Sequence, residues 1–144
     1  ASNVVATDIQ QKLLRVGITV SVFSDHHVHS LAASLMNKKD VMIAVSHTGR
    51  SQDILDSVRF AKECGASVIS FTSKNSPLGE LSDVVLESGA TEDTKEYIPM
   101  ISRLADLAIV DVLLVNLALK RGSSFIEEMS RSKAIIESKR VRDQ

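Results

Sequence analysis

The residues of this chain with the clearest chemical potential lie in one short run, Ser46-His47-Thr48-Gly49-Arg50-Ser51. Five apolar residues, Val41 to Val45, precede the run and read as a buried strand. A helical pattern starting at Gln52, Asp53, Ile54 and Leu55 follows it. A loop between a strand and a helix carries amides with no intrahelical partner, and the helix dipole puts positive potential at the same place. Such a loop cradles anions, and Ser46, Thr48 and Ser51 add hydroxyl donors. Gly49 allows a backbone path that brings amides toward a ligand. The chemistry suits a phosphorylated small molecule held without lysine. The competing reading is an ordinary strand-to-helix connection with Ser51 as helix cap.

Other reactive side chains carry weaker signals. His26, His27 and His29 form a His-His-x-His cluster. Immediate neighbours on a helix do not share a face, whereas residues three or four apart do, so surface histidines at a helix start are expected rather than a metal site. The single cysteine, Cys64, reads as a small buried hydrophobe rather than a reactive thiol. Glu92, Asp93, Glu96 and Arg103 flank the entry to a long apolar helix. Acidic residues are favourable at a helix start for electrostatic reasons alone. Their functional reading is contact with sugar hydroxyls, with Glu96 and Arg103 the leading candidates. No motif calls for a cofactor, and no catalytic residue is assigned.

These residues need a scaffold, and the pattern supplies one. Helices are expected at Asn3–Val16, at 26–37 with Asp25 as cap, and at Ser51–Cys64. A short turn at Ser76–Leu81 has proline near its first helical position. A long helix is expected from Pro99 to Lys120, and a last amphipathic one from Ser123 to about Arg140. Strands are expected at Ile18–Phe23, Val41–Val45, Ser67–Phe71 and Val84–Leu86. Alternating helices and continuous Val/Ile runs indicate an α/β domain with a parallel sheet covered on both faces, a three-layer α-β-α sandwich. Ligands in such sheets bind beyond the carboxyl ends of the strands, where the Ser46–Ser51 loop falls. The chain opens directly on helix residues, where a doubly wound domain has a strand. The expectation is a piece of a longer chain whose first strand precedes Ala1.

Composition narrows the classes further. The 144 residues fit one domain, 44% of them hydrophobic. A net charge of −1 argues against nucleic-acid binding by the chain itself, and 3% aromatic content argues against base stacking. One cysteine rules out an internal disulfide and suits a reducing cytoplasm. Ile101 to Leu119 is apolar but is interrupted by Arg103, Asp106, Asp111 and Asn116, so it reads as a core or interface helix rather than a membrane span. Its broad apolarity is hard to bury inside a domain this small, which points to a homo-oligomer, in the simplest case a dimer.

The order of elements around Ser-His-Thr-Gly-Arg-Ser resembles the sugar isomerase (SIS) domain, a flavodoxin- or Rossmann-like fold. SIS domains bind phosphosugars through a Ser-x-Ser/Thr-Gly-x-Ser/Thr loop. The chain is most similar to the effector domain of RpiR/MurR-type bacterial transcription regulators. The residues that carry this likeness are Gln11-Lys12-Leu13-Leu14-Arg15-Val16-Gly17, the six-residue loop, and Glu96-Tyr97-Ile98-Pro99-Met100-Ile101-Ser102-Arg103-Leu104-Ala105 with Ile109-Val110-Asp111-Val112-Leu113. The resemblance implies that Ser46, Thr48 and Ser51 hold a phosphate, with His47 and Gln52 lining the pocket. A second family signature, a Gly-x-Gly-x-Ser turn, is represented only by Ala1-Ser2. By that likeness Ser2 faces the sugar phosphate across the cleft from Thr48. It further implies dimerisation, with pockets that often borrow residues from the partner, and a helix-turn-helix domain upstream that contacts DNA.

Two functions follow. The first is a sensor: a phosphosugar or sugar-acid phosphate binds and shifts the dimer, and the separate DNA-binding domain reports the change. The second is an aldose–ketose isomerase, which needs a base beside the substrate carbonyl. Glu96, His27 and His47 are candidates for that base, and none lies in a motif that specifies the role.

Overall fold

Two pentapeptides, Val-Met-Ile-Ala-Val and Ser-Val-Ile-Ser-Phe, form the centre of the fold as strands β1 (Val41–Val45) and β2 (Ser67–Phe71). β-Branched residues suit a pleated surface buried on both sides. The computed structural model describes residues 2–90 and 100–140. A third short strand, β3 (Val84–Leu86), completes a parallel sheet of order β1-β2-β3. Val41 pairs with Ser67 and Val45 with Phe71, and Phe71 in turn pairs with Leu86. Helices α1 (Ser2–Leu14), α2 (His26–Ser34), α3 (Gln52–Glu63), α4 (Pro77–Leu81), α5 (Ile101–Arg121) and α6 (Ser123–Ser138) surround it.

The period-two alternation of the strands divides the core. Ile43, Val45, Phe71 and Leu86 turn to one face, where they meet Val5, Ile9 and Leu13 of α1, Val110 of α5 and Phe125 of α6. Ala44 and Val68 turn to the other face and meet Leu55 and Val58 of α3 and Leu78 of α4. Val58, Val68, Phe71 and Leu78 are fully buried, and each such side chain contributes about 1.5–3 kcal/mol relative to exposure. Helices on both faces of a parallel sheet make the expected three-layer α/β architecture. Among the described residues, no helix is long and apolar enough to cross a membrane.

One expected strand does not form. Residues 18–24 have no regular structure and no ladder partner among the described residues. Ile18 and Val20 still pack against the α1–α5 side of the core. The Ile18 amide donates to the Leu13 carbonyl at 3.0 Å, and Gln10 Nε2 donates to the Val20 carbonyl at 2.8 Å. Apolar alternation reports which side chains are buried, but a strand also requires a neighbouring backbone to bond. The α2 helix ends at Ser34, three residues before Asn37, with Leu35 as its C-cap.

The relative direction of α1 and α5 matters for the site. Lys12 bonds Asp111, and Arg121 reaches the carbonyl of Val16 at 3.2 Å. Rising residue numbers on one helix therefore meet rising numbers on the other, so the two run parallel. Their N-termini, at Ser2 and Ile101, lie at the same end of the sheet.

Candidate functional site

The Ser46–Ser51 loop is held by its backbone, while the Thr48 and Ser51 hydroxyls stay exposed. Ser46 is buried and continues the ladder, its amide donating to the Phe71 carbonyl at 3.1 Å. The Ser46 carbonyl accepts the Gly49 amide at 3.1 Å, which closes a tight turn. Gly49 takes φ +61°, and a Cβ there would fall 2.1 Å from Ser76 Oγ and 2.5 Å from Thr72 Oγ1. No other residue type fits this backbone. The Gly49 carbonyl accepts the Leu78 amide at 3.1 Å, so α4 clamps the loop from below. Ser76 caps α4 by accepting the Gly79 amide, and its hydroxyl lies 3.1 Å from that of Thr72.

Ser51 occupies the N-cap position of α3, yet its hydroxyl makes no capping bond. The ordinary-cap reading of this serine therefore fails here, and both Ser51 and Thr48 are exposed. The first-turn amides of α3 and the two hydroxyls are left at the positive end of a twelve-residue helix. Arg50 is exposed. Gln52 is exposed too, and its Nε2 donates to Asp56 Oδ1 at 2.8 Å along α3, which directs it along the helix flank.

Beside the loop, at the carboxyl ends of β2 and β3, lies a cavity of about 340 Å³. His47 and Thr72 border it on the loop side, Ser73, Glu87 and Ser88 line the sheet end, and Asp106 reaches in from α5. Asp106 is 7% exposed, and burial raises its pKa above the usual carboxylate value, with His47 opposing the shift. Sequence reasoning treated Asp106 only as an interruption of an apolar helix. The available signal was an acid at the four-residue spacing that sets Ser102, Asp106 and Val110 on the buried side of α5.

The remaining sequence candidates are placed as follows. Ser2 is half-buried at the start of α1, at the same sheet end as the loop, by the parallel run of α1 and α5. Arg103 is half-buried in the first turn of α5 and does not line the cavity. Glu96, with Glu92 and Asp93, lies outside the described residues, as does Pro99. His26 and His27 are exposed, with ring centroids 4.0 Å apart. His29 instead turns inward, its Nδ1 lying 2.7 Å from the buried Ser57 Oγ of α3. Among the described residues no group of three or more His, Cys, Asp or Glu side chains is arranged to hold a metal. Cys64 is half-buried and donates to the Ser34 carbonyl at 3.4 Å.

With this geometry in place, the chain can be compared with known proteins. It is 36% identical over 133 residues to the HTH-type transcriptional regulator HexR of Pseudomonas aeruginosa, covering 92% of this chain and 47% of that one. The chain thus spans about half the length of that regulator. Among solved structures, Vibrio vulnificus NanR complexed with ManNAc-6P superposes with a TM-score of 0.88 at 25% identity, over 98% of this chain and 53% of NanR. The sugar isomerase domain of an RpiR transcription factor from Sphaerobacter thermophilus shares the fold, with a TM-score of 0.78 at 22% identity over 92% of this chain and 73% of that one. The SIS domain family matches residues 1–116, which contain every element from α1 to β3, the loop and most of α5. By that match the chain belongs to the SIS domain family.

Proposed function

We propose that this chain is the phosphosugar-sensing effector domain of a transcriptional regulator of carbohydrate metabolism, acting on DNA through a separate helix-turn-helix domain of its parent protein. The observation that carries the reading is the Ser46–Ser51 loop: Gly49 is locked against Thr72 and Ser76, while the Thr48 and Ser51 hydroxyls stay exposed at the α3 N-terminus. Ser46, Thr48, Gly49 and Ser51 hold the phosphate, and His47 and the adjoining cavity take the sugar. Ser2 approaches from the α1 N-terminus, while Gln52 and Arg103 serve the rim. The likeness to HexR and to NanR, a protein solved with ManNAc-6P, supports this assignment.

A second copy of the chain is the proposed protein partner. Ile101, Leu104, Val112, Val115 and Leu119 are all exposed and recur at helical spacing along α5. A stripe of this length on one helix face is the geometry by which two helices pack. Ligand binding shifts the geometry of the pair through its differential affinity for two arrangements.

Aldose–ketose isomerisation is the second reading. His47 in the cavity, within electrostatic reach of Asp106, is the observation in its favour. One experiment separates the readings. The protein is screened by thermal shift against sugar phosphates and their unphosphorylated counterparts, and any stabilising compound is then followed by NMR for conversion. A melting-point rise with a phosphate, absent for its free sugar and without isomer formation, is expected for the sensor. Product formation would establish the enzyme instead. Ser46→Ala and Thr48→Ala are each expected to weaken that ligand by about 1–3 kcal/mol through lost charge-assisted hydrogen bonds. Wild-type affinity in both variants would remove the loop from the site.

A further inference from the structure

The cavity beside the phosphate loop contains a carboxylate that the fold does not use. Asp106 is 7% exposed on the second turn of α5 and lines the cavity. Among the described residues it forms no hydrogen bond and no ion pair, although other acids here do: Asp83 receives Lys62 and the Val68 amide, each at 2.7 Å, and Asp111 receives Lys12. A buried carboxylate without a partner is costly. Burial of Asp106 raises its pKa, in the direction of that cost, while the cavity leaves its carboxylate open to a ligand.

Charge in the cavity sharpens the point. Its described lining includes two acids, Asp106 and Glu87, one imidazole, His47, and the hydroxyls of Thr72, Ser73 and Ser88, with no lysine or arginine. A phosphate has its place at the loop, where amides and hydroxyls converge. The rest of the ligand meets acceptors. We propose that Asp106 is the specificity-determining residue of the site, accepting hydrogen bonds from hydroxyl or amino groups of the ligand and disfavouring a ligand with a carboxylate at that position. This rests on the phosphosugar reading of the loop and narrows its substrate class to neutral or amino sugar phosphates.

The test uses calorimetry on the full-length parent protein with four probes: inorganic phosphate, glucose 6-phosphate, glucosamine 6-phosphate and 6-phosphogluconate. Wild type is expected to bind the hydroxyl- or amino-bearing sugar phosphates more tightly than 6-phosphogluconate. Asp106→Asn, which keeps the shape and removes the charge, is expected to weaken the preferred sugar phosphate by about tenfold or more and to leave inorganic phosphate unchanged. Asp106→Ser serves as a second variant, with circular dichroism confirming the fold of both. Wild-type preference for 6-phosphogluconate, or unchanged sugar affinity in both folded variants, would overturn the role of Asp106. If Ser46→Ala still weakens binding in that case, the phosphate loop stands and only this inference falls. If wild type binds none of the four probes, the loop reading and the inference built on it both fail.

Discussion

Gly49 shows how much one residue decides in this site. Its positive φ and the 2.1 Å approach of Ser76 Oγ to a would-be Cβ leave alanine no place. Gly49→Ala is expected to cost about 2 kcal/mol or more in stability and to remove the proposed phosphosugar binding, since the strain falls on the turn that shapes the loop. Urea denaturation beside ligand titration checks both, and an unchanged midpoint with unchanged affinity would contradict the argument. Asp106 gives the opposite expectation for stability. Burial raises its pKa, so the folded state holds the proton more tightly than the unfolded chain does. The cost of ionising it is therefore present above the raised folded value and absent below the ordinary value of 3.8. Without ligand, Asp106→Asn is expected to melt above wild type at neutral pH, with the gap closing on acidification through that window. Melting curves from about pH 3 to about 8 measure it, and a variant that melts below wild type at neutral pH would refute it.

Pairs of elements are held by a few polar ties set over apolar packing. Asp83, just before β3, receives Lys62 from the last turn of α3 and the Val68 amide of β2. The Lys62 bond first, and the Val68 amide second, hold its carboxyl below the ordinary carboxylate range. A depressed folded value means that the tie stabilises above the unfolded value and fades as pH falls through the folded one. Asp83→Ala is expected to lower the melting temperature at neutral pH, and the deficit is expected to vanish in strong acid. A deficit of equal size at every pH would assign the effect to packing instead. Between α2 and α3, Ser57 Oγ donates to the Asp53 carbonyl at 3.0 Å and takes His29 and Ser30 at 2.7 and 2.8 Å. This tie uses His29, the one inward member of the histidine cluster, to hold helices together. The strand expected over residues 18–23 teaches the same lesson from the other side. Its apolar residues pack, but its backbone has no described neighbour to pair with.

At the scale of the molecule, parallel α1, parallel strands and α5 bring several helix starts and strand ends to one side, where the loop and cavity sit. The outer face of α5 points elsewhere and remains apolar. If the proposed pairing of two copies uses that face, Val112→Glu combined with Leu119→Glu is expected to give a monomer. The two residues are 60% and 77% exposed, so neither charge disturbs the core. Light scattering coupled to gel filtration, run over a range of concentrations, checks this. A wild-type monomer throughout, or a double variant of unchanged mass, would move the interface off α5.

Apart from the strand expected over residues 18–23, the order of helices and strands, the loop and its glycine were legible in the sequence because local signals carry them. These are the periodicity of burial, the breakers Gly65 and Gly122, and hydroxyls between a strand and a helix. The three-layer architecture followed from the same periodicity. Tertiary structure alone decided what depends on distant partners. It left Ser51 uncapped, turned Gln52 toward Asp56 and His29 toward Ser57, and placed Asp106 of α5 across a cavity from His47 of the loop. Hydrogen bonding and desolvation act through space. A side chain's neighbour along the chain says little about which group it meets, or whether water is there to meet it.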